Sequence, residues 1–141
     1  VTTAGGGTLL SADTKSASHV LTNFDEKVVI NVLEKAVEFS YLVALNIKGK
    51  VLGVYMVSKG TISSSMMAVR EIFLAALLIG AVNIVIVHNH PSGDSKPSKD
   101  DIDCTKRIEE AGNIIGIRLL DHVIIGRDNY FSMKEAGIIE N

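Results

Sequence analysis

The spacing of apolar side chains changes period several times along the chain, and each change predicts an element. Between Asp25 and about Val37, the residues Val28, Val29, Val32, Leu33 and Ala36 recur at helical spacing, which predicts an amphipathic helix packed on a core. The next two segments, Tyr41 to Ile47 and Val51 to Val57, are rich in β-branched and aromatic residues. They predict two strands joined by a hairpin through Lys48, Gly49 and Lys50, with Gly60 ending the unit. Ala68 to Leu78 contains no helix breaker and has a broad apolar face, so it predicts a mostly buried helix capped by Gly80. Val82 to Val87 is short, apolar and largely β-branched, the pattern of a strand covered on both sides in a layered α/β domain.

A polar loop holding Pro91 and Pro97 follows. Ser98 is placed as an N-cap, and the helix after it is expected to run to Ala111 and stop at Gly112. Strands are expected over Ile114 to Leu120 and His122 to Ile125, a turn at Arg127 to Asn129, and at most one helical turn from Met133 to Ala136. Residues 1–20 mix Gly, Ser, Thr and Ala without apolar periodicity and read as a flexible N-terminal arm, leaving 21–141 as one domain.

Composition narrows the class. With 47% apolar and 21% charged residues in 141 positions, the chain has the balance of a folded globular domain and enough length for a core without cross-links. Cys104 is the only cysteine, so no intrachain disulfide forms, and a cytoplasmic location is expected. No apolar run reaches the length needed to span a bilayer, and Val1 to Gly7 lacks the basic and apolar regions of a secretory signal. The start at Val1 rather than Met suggests a fragment. Fourteen basic residues against 16 acidic ones leave no overall cationic footprint, so nucleic-acid binding is not supported by net charge. Lys96, Lys99, Lys106 and Arg107 form a local basic cluster, for which a solvated helix face is favoured over an anion site.

The chemistry concentrates in the segment from His88 to Asp101, which joins the buried strand to the capped helix. Alternation along an extended chain sends His88 and His90 to the same face, where both imidazoles can converge. Asp101 falls in the first turn of the following helix, and a reversal through the Gly and Pro loop can bring its carboxylate beside the rings. Two nitrogens and one oxygen leave a fourth tetrahedral position for water, which distinguishes a catalytic zinc site from a closed structural one. A plainer reading is a capping box formed by Ser98 and Asp101, with surface histidines at a strand end. The full spacing of His-x-His, seven residues, Ser98, two residues and Asp101 is more specific than either piece. Glu38, between the first helix and the first strand, is the candidate base, although by itself it reads as an ordinary exposed helix-end glutamate.

These residues resemble the RadC family, whose JAMM/MPN-type domain carries His-Asn-His-Pro-Ser-Gly, then Pro-Ser, Asp and a later Asp-His. His88 to Gly93, Pro97, Ser98 and Asp101 match the metal motif, and Asp121 and His122 match the Asp-His pair. Gly60-Thr61, Arg70 to Phe73 and the position of Glu38 also fit, so the resemblance covers about Asp25 to Ala136. The chain departs from the family pattern at Phe39 and Ser40, usually His and an aromatic, and at Ala68-Val69, usually His-Pro.

The resemblance implies a mixed β-sheet flanked by helices, the three-layer arrangement of JAMM/MPN (cytidine-deaminase-like) folds. It implies that His88, His90 and Asp101 bind zinc, that Glu38 acts as general base and then acid, and that the Ser98 hydroxyl stabilises the oxyanion. The expected reaction is hydrolysis of a peptide or isopeptide bond in a protein substrate. Asp121 and His122 are candidates for a second shell, with His122 on a backbone carbonyl as the favoured reading. Cys104, one turn after Asp101, is taken as a small core residue rather than a nucleophile.

Two other classes compete. A DNA-repair factor or nuclease is suggested by the repair label of the RadC family and the literal His-Asn-His string, but such nucleases spread those residues over a ββα hairpin and need more phosphate-gripping charge. A catalytically silent protein-binding module is the non-enzyme alternative. A zinc nucleobase deaminase is excluded, because its Pro-Cys-x-x-Cys cannot be built with one cysteine.

Overall fold

The computed structural model describes residues 38–59 and 66–140. The expected helix from Asp25 to Val37, the arm over 1–20 and the stop at Gly60 lie outside these residues. Among the described residues, five strands and two helices follow one another as β1 (Phe39–Leu45), β2 (Val51–Lys59), α1 (Met66–Ile79), β3 (Asn83–Asn89), α2 (Lys99–Ile115), β4 (Arg118–Ile125) and β5 (Tyr130–Ser132). They form one mixed sheet in the order β2-β1-β3-β4-β5. Among the described strands only β3 and β4 run parallel, so the β3-α2-β4 unit is a crossover and its two strands end on the same edge. In open α/β sheets, that carboxyl edge is where ligands bind.

The β1–β2 hairpin turns where expected. Asn46 Oδ1 accepts the backbone amides of Lys48 and Lys50, each at 2.9 Å, which ends β1 at Leu45 and leaves Ile47 in the turn rather than in the strand. Strand alternation then sorts the core into two faces. One face joins Leu42, Ala44, Ile84, Ile86, Leu119 and Ile124 to Ile72, Phe73 and Ala76 of α1 and to Cys104 and Ile108 of α2. The other holds Tyr41, Val43, Leu45, Val85, Val87, Leu120, Val123 and Ile125. Both clusters are buried, which is why β3 reads as a continuous apolar run.

Three expectations are corrected. Helix α1 is not mostly buried: Leu74, Leu77 and Leu78 are 50%, 58% and 80% exposed, because the sheet covers only the stripe through Ile72, Phe73 and Ala76. Helix α2 does not stop at Gly112 but continues to Ile115, and the left-handed cap is Gly116 at φ 91°. Gly112 serves closeness instead, since a Cβ there would overlap the carbonyl oxygen of Ile117. Finally, Ile114 and Ile115 end α2, and the two expected strands after it are the single strand β4.

Strand β4 is not regular. Its register on β3 shifts between Ile84 and Val85, which pair with Leu119 and Asp121, so Leu120 is an extra residue in the ladder. The shift sets Asp121 opposite Val85 on the second face and His122 opposite Ile86 on the helix-covered face. Strand β5, which the sequence pattern did not announce, pairs antiparallel with β4 from Val123↔Ser132 to Ile125↔Tyr130.

Candidate metal centre

The last residues of β3 carry the site to the carboxyl edge of the sheet. His88 is within the strand and 1% exposed, whereas His90 lies just past its end, held by a bond from its amide to the Ile125 carbonyl at 2.9 Å. The turn beyond it closes through Gly93 N to His90 O at 3.0 Å, with Gly93 at φ 93°. The chain then returns to α2, whose first turn supplies Asp101. Ser98 caps that helix: its hydroxyl accepts the Asp101 amide at 3.0 Å, and its own amide donates to Asp101 Oδ2 at 2.9 Å. The capping box and the proposed ligand role were competing readings of Asp101, yet the box is what aims its carboxylate at the histidines.

Three side chains converge. His88 Nε2 is 3.1 Å from His90 Nε2, Asp101 Oδ2 is 3.2 Å from His90 Nε2, and Asp101 Oδ1 is 3.5 Å from His88 Nε2. Ligands held about 2.0 to 2.2 Å from one ion at tetrahedral angles stand about 3.3 to 3.6 Å apart, so this spacing is close to that of three corners of a coordination shell. Two imidazole nitrogens and a carboxylate oxygen are also a donor set that suits zinc, and the three residues fit a divalent cation. His90 Nδ1 donates to the Asp94 carbonyl at 2.9 Å, because a carbonyl only accepts, and this turns a bare Nε2 toward the centre.

Glu38 lies beside this group. Asn89 Oδ1 accepts the Phe39 amide at 2.7 Å and fixes the start of β1, and the pairing Ser40↔His88 continued outward brings Glu38 level with His90. Partial burial raises the Glu38 pKa, His90 opposes the rise, and the Asp101 carboxylate adds to it. Burial drives the His88 pKa down to about 4, with Asp101 opposing and His90 adding to the fall, so the ring is neutral and able to act as a ligand at neutral pH.

The Asp-His pair of β4 divides. His122, fully buried, does not hold a backbone carbonyl as favoured from the sequence: its Nε2 is 2.7 Å from His88 Nδ1 and its Nδ1 is 2.6 Å from Thr105 Oγ1. Burial, then His88 and His90, keep its pKa well down. Asp121 points to the other face, where it accepts the amides of His122 and Lys134 and the Ser132 hydroxyl, and so pins the β4–β5 hairpin instead of orienting a ligand. Cys104 is 1% exposed in the core under α2, and burial pushes its thiol up to about 11, which disfavours a thiolate. Lys96, Lys99, Lys106 and Arg107 are all exposed to solvent. No described helix is long and apolar enough to cross a membrane.

Sequence reasoning overlooked Asn89, the Asp94 carbonyl and Thr105. Of these, Thr105 left a signal: it follows Asp101 by four residues and therefore lies on the same helix face.

A mixed α/β sheet with this His-His-Asp group at its carboxyl edge is consistent with the JAB/MPN-like class of domain. The family model described as a RadC-like JAB domain matches residues 15–138, and the chain belongs to that family. It is 47% identical over 116 residues to a UPF0758 protein of Caldanaerobacter subterraneus subsp. tengcongensis, covering 77% of this chain and 49% of that protein. A UPF0758 protein of Clostridium beijerinckii is 50% identical over 98 residues, which is 70% of this chain and 43% of the relative. One from Rubrobacter xylanophilus is 48% identical over 102 residues, or 72% and 44%. The chain thus spans about half the length, or less, of these curated relatives.

Proposed function

We propose that the chain is a zinc-dependent hydrolase domain of the JAMM type, which cleaves a peptide or isopeptide bond in a protein substrate. The observation that carries this reading is the spacing of 3.1, 3.2 and 3.5 Å among His88 Nε2, His90 Nε2 and the Asp101 carboxylate, beside a glutamate with a raised pKa. His88, His90 and Asp101 would hold the ion, and three protein donors leave a fourth position for water or substrate. A zinc ion bound there supplies Lewis acidity, lowering the pKa of water to about 7 and polarising a carbonyl.

The remaining steps belong to the chain. Glu38, near His90 and with its pKa raised by partial burial, accepts a proton from the attacking water and returns it to the leaving amine. The Ser98 oxygen already accepts the Asp101 amide, so its own O–H remains to donate to the carbonyl oxygen as negative charge develops. His88, kept neutral by burial, would offer its Nε2 lone pair to the ion while Glu38 handles the proton.

The test compares zinc-loaded wild-type protein with Glu38→Gln on quenched peptide and isopeptide panels. The proposal expects turnover by the wild type and a loss of at least about 100-fold in the variant, with zinc content unchanged. Equal rates in both would remove Glu38 from the reaction, and cleavage of DNA but not of peptides would overturn the peptidase assignment.

A further inference from the structure

The convergence of two histidine Nε2 atoms 3.1 Å apart admits two states of protonation. If His88 carried its proton on Nε2, it would donate to His90, and the pair would be a closed hydrogen bond with no lone pair to offer from His88. If the proton is on Nδ1, both nitrogens are bare and the centre is ready for a cation. Which state exists is decided behind the ligand, by residues outside the metal motif.

We infer that Thr105 is a positioning residue that, through His122, sets the tautomer of His88 and so presents its Nε2 to the metal. The direction follows bond by bond. Thr105 Oγ1 donates its single proton to the Asp101 carbonyl oxygen, 2.8 Å away and able only to accept. Having spent that proton, the hydroxyl can only accept from His122 Nδ1 at 2.6 Å, so His122 carries its proton there and its Nε2 is an acceptor. His88 Nδ1, 2.7 Å from that acceptor, must therefore be the N–H donor. The proton of neutral His88 is thereby fixed on Nδ1, and Nε2 faces His90 and Asp101 bare.

The relay also ties one ligand to another, since it runs from the ring of His88 to the main chain of Asp101. Thr105, His122 and His88 are each between 0% and 1% exposed, so water does not compete for these bonds. Outer-shell partners of metal-bound histidines act in this way, fixing ring orientation and tautomer, and their loss costs about 10- to 100-fold in metal affinity. The inference rests on the metal-centre reading but not on any hydrolytic activity.

The experiment uses Thr105→Val, which keeps the shape and removes the hydroxyl, and Thr105→Ser, which restores the hydroxyl. Long-range proton–nitrogen NMR on the metal-free chain reads the His88 tautomer, and competition with a chromogenic chelator reads zinc affinity. The inference expects the Nδ1–H tautomer of His88 in the wild type and Thr105→Ser, and a mixed or reversed tautomer in Thr105→Val. It also expects zinc binding about 10- to 100-fold weaker in Thr105→Val, with Thr105→Ser near wild type. A wild-type His88 protonated on Nε2, or a Thr105→Val protein that keeps both the tautomer and the affinity, would overturn it. If the wild type binds no zinc yet shows the Nδ1–H tautomer, and Thr105→Val loses it, the relay stands and the metal reading falls.

Discussion

Asp121 and His122 are neighbours in the chain, both buried to 1% or less, and they do opposite work. Asp121 faces the sheet side lined by Val85 and Val123, and its carboxylate gathers the Lys134 amide and the Ser132 hydroxyl to hold β5 against β4. His122 faces the helices and reaches His88 and Thr105. Strand alternation separates the two roles, and the extra residue at Leu120 decides which side chain falls on which face. An adjacent polar pair is thus not one unit: the acid bonds within the β4–β5 hairpin, and the histidine bonds to His88 and Thr105.

Substitutions can break this division, and zinc affinity ranks them. His88→Ala or Asp101→Ala has the largest effect, reducing zinc from about one ion per chain to none in metal analysis, since either loss leaves only two ligands. Full occupancy in both variants would remove them from the ligand set. His122→Phe comes next, with zinc affinity down about 10- to 100-fold by chelator competition, because the partner of His88 Nδ1 is gone. Asp121→Ala reverses the pattern. It leaves the Ser132 hydroxyl and two buried or half-buried amides without their acceptor and costs about 3 kcal/mol in urea unfolding, while zinc affinity in the folded protein stays within about twofold. A large affinity loss there would mean that the two faces are coupled. Cys104→Ala should change least, with zinc stoichiometry intact and a stability loss of about 1 kcal/mol from a small cavity.

Much of this was legible because local rules acted alone. The His88 and His90 alternation, the Ser98 cap and the position of Asp101 one turn later follow from strand and helix periods, so the whole proposed ligand set could be read from 14 consecutive residues. Gly112 misled for a physical reason: a glycine near a helix end reads as a cap, but here it permits close packing against Ile117, and Gly116 takes the left-handed conformation. The exposure of Leu74, Leu77 and Leu78 was not legible either, because periodicity shows which face is apolar and not how much of it is covered. The role of His122 depended on a one-residue bulge, which no local pattern encodes, and on a threonine 17 positions earlier, whose helical spacing from Asp101 shows its face but not its partner on β4.

Anomalous diffraction at the zinc edge from zinc-soaked crystals tests the central claim most directly. The account predicts one peak about 2.0 to 2.2 Å from His88 Nε2, His90 Nε2 and an Asp101 carboxylate oxygen, with a fourth position open to solvent. A peak lacking these three ligands, or no peak between them at saturating zinc, would contradict it.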